Sequence, residues 1–488
     1  MGHVDLREMA FQMRSDELRQ YGQEVLRRDP SRVAPAEVLD LMAYLVGCDF
    51  IGAEAKINTI KYKFNGTKDE IYINEATSLA KAHIDFAFGR FKEMEVSANS
   101  FLTNHRTIPN LEEGEFLDVL RLKAQKEMIL DEWDSLRKTY AEMVDYKVTV
   151  QATNLFYLID SVQAMLLLAE GDYFKAAEIA KRNIEIAKQN GYTGLMAPLD
   201  SIYVLASSYF ALAKSKESQT LYSELKEQAE KLNMWPWYFI ADGFIAREKA
   251  YLRDMPGALA LVREERNLLT EFNFAHELNF IPDINELYVR FLISDWDRVE
   301  VLVNRVPNLF FVQQINLFLE KQSGKDMLSH IEKLPESSPR QKVYKLLAFA
   351  GHYNDKESIS VDYMYQALQV VEDFGSVELI LRQYELVDIV LKAIAKRPTV
   401  FLENLATRLT ERIKLRNQSI SDGLPIPLTS RELEVVKHLA TGLPISAIGN
   451  NLHVSMNTMK THLRNIYRKL EVDGRDSAVE KAKELFLI

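Results

Sequence analysis

The residues best suited to chemistry lie in one stretch near the C-terminus, SMNTMKTHLRNIYRKL, Ser455 to Leu470. It carries Lys460, Arg464, Arg468 and Lys469 and not one Asp or Glu, in a chain with 70 acidic residues against 60 basic ones. On a wheel at 100° per residue, Met459, Leu463, Ile466 and Leu470 fall within about 60° of one another, a tight apolar face. Lys460, Arg464, Asn457, Arg468 and Thr461 fall roughly opposite, and Lys469 lies off that face at about 280°. Cations with small polar neighbours, and no acid to neutralise them, suit phosphate oxygens and the acceptor edge of guanine. Most charge runs are merely solvated, but this one opens at a helix N-terminus, Ser455, which also favours phosphate.

Short elements must hold this helix in place. In LTSRELEVVKHLATG, Thr429 is followed three residues later by Glu432, a capping-box spacing. Leu433, Val436, Leu439 and Ala440 give the buried stripe, and Gly442 supplies the stop. LPISAIGNNL gives a second short helix, where Gly449 allows close backbone approach, and HV turns the chain into the basic helix. A fourth helix, DSAVEKAKELFL, puts Ala478, Val479, Ala482 and Leu485 on one side. Helix, tight turn and exposed basic helix together make the helix-turn-helix arrangement that enters a DNA major groove.

Upstream the chain repeats itself. Short turns leading into an aromatic or large residue recur at Phe50, Phe91, Trp133, Phe174, Ser215, Met255 and Trp296, at intervals of 40 to 42 residues. Each period holds an apolar helix, a turn and a second helix. Such hairpins leave apolar faces uncovered, so neighbours must stack into a superhelix with a concave surface. The register is lost after Trp296, although residues 309–417 still read as helices. NMWPWYFIA makes Trp235 and Trp237 candidates for effector contact, set against a plainer role as indoles packed between repeats. At residues 414–427, KLRNQSISDGLPIP breaks the pattern as a linker.

The remaining observations exclude function classes. A net charge of −10 argues against a whole-surface nucleic-acid coat. The single cysteine, Cys48, leaves no disulfide framework and fits a reducing cytoplasm. No run approaches a membrane span, so no membrane partner is expected. Neither a phosphate-binding G-x-x-x-x-G-K-[ST], nor H-E-x-x-H, nor G-x-S-x-G occurs, so neither an enzyme nor a cofactor is expected.

The C-terminal residues resemble the LuxR/GerE-type helix-turn-helix domain through LTSRELEVV, LATGL, Ile448, Leu452, VS at 454–455, Thr458, KTHL at 460–463, NIYRKL at 465–470, Val472, Arg475 and AV at 478–479. The chain departs from the family's usual SNKEIA with PISAIG. By position, the resemblance implies that Lys460, Thr461 and Arg464 approach base edges. It also implies that Ser455, Asn457, Thr458, Arg468 and Lys469 meet phosphates, and that Ala478, Val479, Ala482 and Leu485 pair two copies on a two-fold site. With its long tetratricopeptide-like arm, the chain is similar to the maltose-regulator (MalT-type) class without that class's ATP-binding module.

The expected fold is all-α: a tetratricopeptide-like superhelical solenoid plus a four-helix LuxR-type domain. The arm spans 1–417, clearest at 40–305; the linker spans 418–427; the head spans 428–488, its helix-turn-helix at about 445–464. The expected function is a cytoplasmic, sequence-specific transcriptional regulator. Its partners would be double-stranded DNA, a second copy of the chain, RNA polymerase if it activates, and a peptide, small-molecule or protein effector on the arm. The alternative is an interaction protein whose repeats sequester another regulator, with the head used for dimerisation.

Overall fold

The computed structural model describes residues 9–10, 12–104, 113–146, 153–251, 254–271, 276–292, 295–307, 309, 312–313, 315, 327–383, 386–422, 428, 430–452, 454–470 and 472–484. Among them are 25 α-helices and no strand. A leading helix α1 (Ser15–Arg28) is followed by hairpins α2/α3 (Val33–Val46, Phe50–Phe64), α4/α5 (Glu70–Ala87, Phe91–Asn104) and α6/α7 (Glu113–Ile129, Trp133–Tyr146). Next come α8/α9 (Thr153–Glu170, Tyr173–Gln189), α10/α11 (Leu199–Ala211, Ser215–Lys231), α12/α13 (Trp235–Tyr251, Met255–Glu271) and α14/α15 (Phe280–Leu292, Trp296–Val303). Beyond this the period lapses, with α16 (Leu328–Glu332), α17/α18 (Pro339–His352, Glu357–Phe374), α19 (Val377–Leu381) and α20/α21 (Val387–Lys396, Val400–Asp422). The head holds α22 (Ser430–Leu439), α23 (Ile445–Asn451), α24 (Met456–Leu470) and α25 (Arg475–Glu484).

One backbone device makes the repeat. In each of the seven hairpins up to Val303 the N–H two or three residues past the end of the first helix reaches back five residues to a carbonyl: Asp49 to Tyr44, Arg90 to Asp85, Glu132 to Glu127, Asp172 to Leu167, Lys214 to Tyr209, Asp254 to Lys249 and Asp295 to Arg290. The preceding residue takes the left-handed conformation that this closure requires, at Cys48 (φ 57°), Gly89 (68°), Asp131 (55°), Gly171 (93°) and Ala213 (56°). Three of those five are not glycine, so glycine content alone hides the turns. The second helix then starts at Phe50, Phe91, Trp133, Tyr173, Ser215, Met255 and Trp296. The fourth position is therefore a correction. Tyr173 is the buried wedge at 9% exposure, while Phe174 is 40% exposed.

Where the residue before the second helix is Asp, its carboxylate caps that helix. Asp49 accepts from Gly52 N at 2.8 Å, Asp172 from Lys175 N at 3.2 Å, Asp254 from Gly257 N at 2.9 Å and Asp295 from Arg298 N at 3.4 Å. Losing such a cap removes about 1 kcal/mol. Asp172→Ala is therefore expected to speed amide exchange in the first turn of α9 about fivefold, read by hydrogen-exchange mass spectrometry, with α3 unchanged.

The first helices of the early hairpins are buried on most sides. In α4 Ile73 and Ala76 are buried, and so are Ala82 and Asp85 on the opposite side. Later hairpins also close over the turns of earlier ones. Asn233 Nδ2 donates to Cys48 O at 3.2 Å, Arg408 Nη2 to Ala213 O at 2.8 Å, and a Cβ on Gly171 would meet Arg340 N at 2.8 Å. The two tryptophans are part of that packing. Trp237 is fully buried, with its ring 6.4 Å from Phe86 and 5.2 Å from Tyr203, and Trp235 packs on Tyr238 at 5.5 Å. Neither offers a face to an effector.

Burial also sets how the arm answers pH. Glu75, Glu127 and Glu248 are pushed up to about 7, chiefly by burial. A carboxyl with a raised folded pKa contributes stability that is complete below its ordinary value and lost as pH rises through about 7. Glu286 runs the other way. Burial opposes its ionisation, but hydrogen bonds from Arg298 and Arg266 hold it down at about 2. Its contribution is lost only as pH falls from the ordinary 4.5 towards 2. The melting temperature is therefore expected to fall between pH 5.5 and pH 8, and Glu127→Gln to flatten that slope.

Candidate nucleic-acid interface

The head closes on its own core of Leu428, Val435, Val436, Leu439, Ile448, Leu452 and the inner face of α24. Ala440, expected in the α22 stripe, is exposed, and Val435 takes its place inside. Three arginine and lysine contacts frame that core. Arg475, at the start of α25, donates to Leu439 O at 2.7 Å and to Leu443 O at 2.8 Å, satisfying carbonyls that the end of α22 leaves open. Arg431 donates to Leu452 O at the turn before α24. Lys469 Nζ lies 2.6 Å from Glu432 Oε2, with the two side chains 10% and 4% exposed.

The turn itself depends on Gly449. Val454 N donates to Gly449 O at 2.9 Å, and a Cβ on Gly449 would stand 3.3 Å from Val454 O and 3.9 Å from Met459 Cε. A side chain there would press on the bend that sets α23 against α24. Ser455 then caps α24. Its Oγ accepts from Thr458 N at 3.2 Å and shares a hydrogen bond with Thr458 Oγ1 at 2.8 Å. Gly442 takes φ 76° after α22.

On α24 the wheel is realised in the structure. Met459 and Ile466 are fully buried, Leu463 and Leu470 nearly so. Lys460, Thr461, Arg464 and Arg468 are exposed on the other side, with Ser455 and Thr458 exposed at its start. The structure thus brings six of the expected contact residues onto one accessible helix surface. That surface suits a groove lined with phosphates and hydrogen-bond acceptors.

Three expectations change. Lys469 is not at a phosphate: it is turned inward, neutralising the buried Glu432. Ala478 and Ala482 are fully buried in the core of the head, so they cannot form a surface between two copies; Val479 is half-buried. Residues 418–422, expected in the linker, belong to α21, and 423–427 lie outside the described residues. Also outside them are Thr429, Leu485 and the side chain of Asn457. Sequence reasoning passed over Met456, 45% exposed at the first turn of α24. On the same wheel it falls at about 60°, between the apolar stripe and Lys460, where it could have been found.

Three comparisons with known proteins bear on the chain. The model of the family "Bacterial regulatory proteins, luxR family" matches residues 426–482. The response regulator protein VraR of Staphylococcus aureus (strain Mu3 / ATCC 700698) is 30% identical over 167 residues, 34% of this chain and 70% of that protein. The uncharacterized transcriptional regulatory protein YxjL of Bacillus subtilis (strain 168) is 30% identical over 122 residues, 24% of this chain and 54% of that one. Among solved structures, a Rap protein complexed with Competence and Sporulation Factor aligns over 78% of this chain and 98% of its own, at 10% identity and a TM-score of 0.42. Among the described residues, no helix is long and apolar enough to cross a membrane. With its basic α24 set on a matching head, the chain belongs to the luxR family of bacterial regulatory proteins.

Proposed function

We propose that the protein is a sequence-specific DNA-binding transcriptional regulator whose head docks α24 in the major groove under the control of the helical arm. The observation that carries this is the contrast within α24: one face sealed in the core, the other exposed, cationic and free of acid. Lys460, Thr461 and Arg464 face base edges, and the first turn with Ser455 and Thr458 meets a phosphate, as helix N-termini do. Arg468, further along the same face, meets the backbone of the next phosphates. Pairing of two heads on a two-fold site uses the outer side of α25 beside Val479, because its alanines are committed to the core. The arm carries the input.

The test is fluorescence anisotropy of the full chain on a labelled duplex across a salt series. Binding should weaken linearly in log–log form, and Arg468→Ala should reduce the slope by about 0.9 for the one lost phosphate contact. Binding that ignores salt, or a slope unchanged by Arg468→Ala, would remove α24 from the backbone.

A further inference from the structure

A second charged cluster lies where the last helices of the arm pack over the middle hairpins. Arg247 on α12 is sandwiched between rings, its Cζ 4.6 Å from the centroid of Phe244 and 4.4 Å from that of Tyr288. Its Nε is buried without an acceptor, and no carboxylate among the described residues lies within ion-pair reach of it. The hydroxyl of Tyr288 meets a second arginine. Arg382 donates to its hydroxyl, lies 5.1 Å over the ring of Phe210 and reaches Glu378 Oε1 at 2.9 Å. Arg412 shares that same oxygen at 2.7 Å. Arg408, beside Arg412, donates only to backbone carbonyls, and burial followed by the charge of Arg412 lowers its pKa.

Arg382 and Arg412 thus share one carboxylate oxygen of Glu378, with Glu248 close enough to feel the charge of all three groups. Burial and the charge of Glu378 push Glu248 up to about 7, so near neutrality it is only partly ionised. Buried polar groups are normally matched, so the buried Nε of Arg247, on a side chain that is otherwise part-exposed, needs an explanation. Aromatic stacking explains its posture, because it fixes the flat fork while leaving the donor edge free. A fork held this way fits carboxylate or phosphate oxygens in bidentate fashion.

We propose that this seam is a binding site for a small oxyanion, a carboxylate- or phosphate-bearing molecule gripped by Arg247 and Arg382. Glu378 Oε2, buried without a donor, accepts from a hydroxyl or amine on the same molecule. The site deepens the regulatory reading by giving the arm its ligand, and rests on that reading only for its consequence. Glu378 ties α19 to α21, the helix that runs to Asp422 just ahead of the head. A ligand that draws Arg382 towards itself therefore acts on the element leading into the head.

The experiment is isothermal titration calorimetry of the full chain without DNA, at fixed ionic strength, with citrate and pyrophosphate as probes. Saturable one-to-one binding of either is expected; which one binds separates carboxylate from phosphate recognition. Arg247→Met should weaken that binding at least tenfold and, without probe, melt no lower than the parent. Arg247→Lys, which keeps the charge and loses the fork, should weaken it while remaining folded. Lys460→Ala/Arg464→Ala should bind the probe unchanged, which separates this site from the basic face of α24 and leaves the DNA reading standing if the seam fails. Absence of saturable heat with both probes, or binding by both Arg247 variants as tight as the parent's, overturns the site.

Discussion

Replacing Lys460 and Arg464 together by alanine is expected to abolish selective DNA binding while leaving the head folded. Both side chains are exposed on the outer face of α24, and neither supports the core beneath. A well-formed contact from Arg or Lys to guanine O6 and N7 is worth about 1–3 kcal/mol of discrimination. Two such contacts, added as separate positions, amount to about 2–6 kcal/mol, or from about thirtyfold to about ten-thousandfold in affinity for the cognate site. Residual binding through Arg468 and the helix N-terminus should persist and be the same for every sequence. The measurement is paired: anisotropy on a selected site and on a scrambled duplex, with a thermal melt of the variant. Equal losses on both duplexes would mean that these residues serve only phosphates.

The second large effect concerns Lys469, whose loss is expected to unfold the head rather than weaken a phosphate contact. Its ammonium is enclosed with the Glu432 carboxylate at 2.6 Å. Removing one member of a buried pair leaves the other charge in a poor solvent, at a cost of about 3–5 kcal/mol. A domain of the size matched by the family model has about 3–8 kcal/mol of stability to lose. Lys469→Met should therefore erase hydrogen-exchange protection across α22 to α25 while α2 to α15 keep theirs. Replacing both partners, Lys469→Met with Glu432→Leu, should restore most of it, since an apolar pair of similar volume is often neutral. A Lys469→Met protein with a protected head and a shallower salt slope would return this residue to the DNA backbone.

What could be read in the sequence follows from what is local. The two faces of α24 are set by a 3.6-residue period, so a wheel suffices to separate Met459 and Ile466 from Lys460 and Arg464. The same wheel set Lys469 apart from the cationic face, but its partner lies in another helix, and no period connects them. Ala478 and Ala482 show the limit differently: a small residue fits a core or an interface equally well, and only the neighbours of α25 decide. In the arm, the spacing of the hairpins was visible because most second helices up to Trp296 begin with a large apolar residue, while the adjacent aromatics Tyr173 and Phe174 left a one-residue ambiguity. The long-range closure between hairpins was not visible at all. It arises from contacts such as Asn233 with Cys48 and Arg408 with Ala213, between segments far apart along the chain. Those contacts bury Trp237, and they also assemble the arginine seam.

The central claim, that α24 reads DNA sequence, is tested most directly by incubating the purified full chain with sheared genomic DNA and sequencing what it retains, beside the Lys460→Ala/Arg464→Ala protein. A small set of enriched fragments sharing a two-fold motif is expected, absent from the variant's profile. Identical profiles from the two proteins, at salt concentrations where the parent binds duplex DNA, would contradict it.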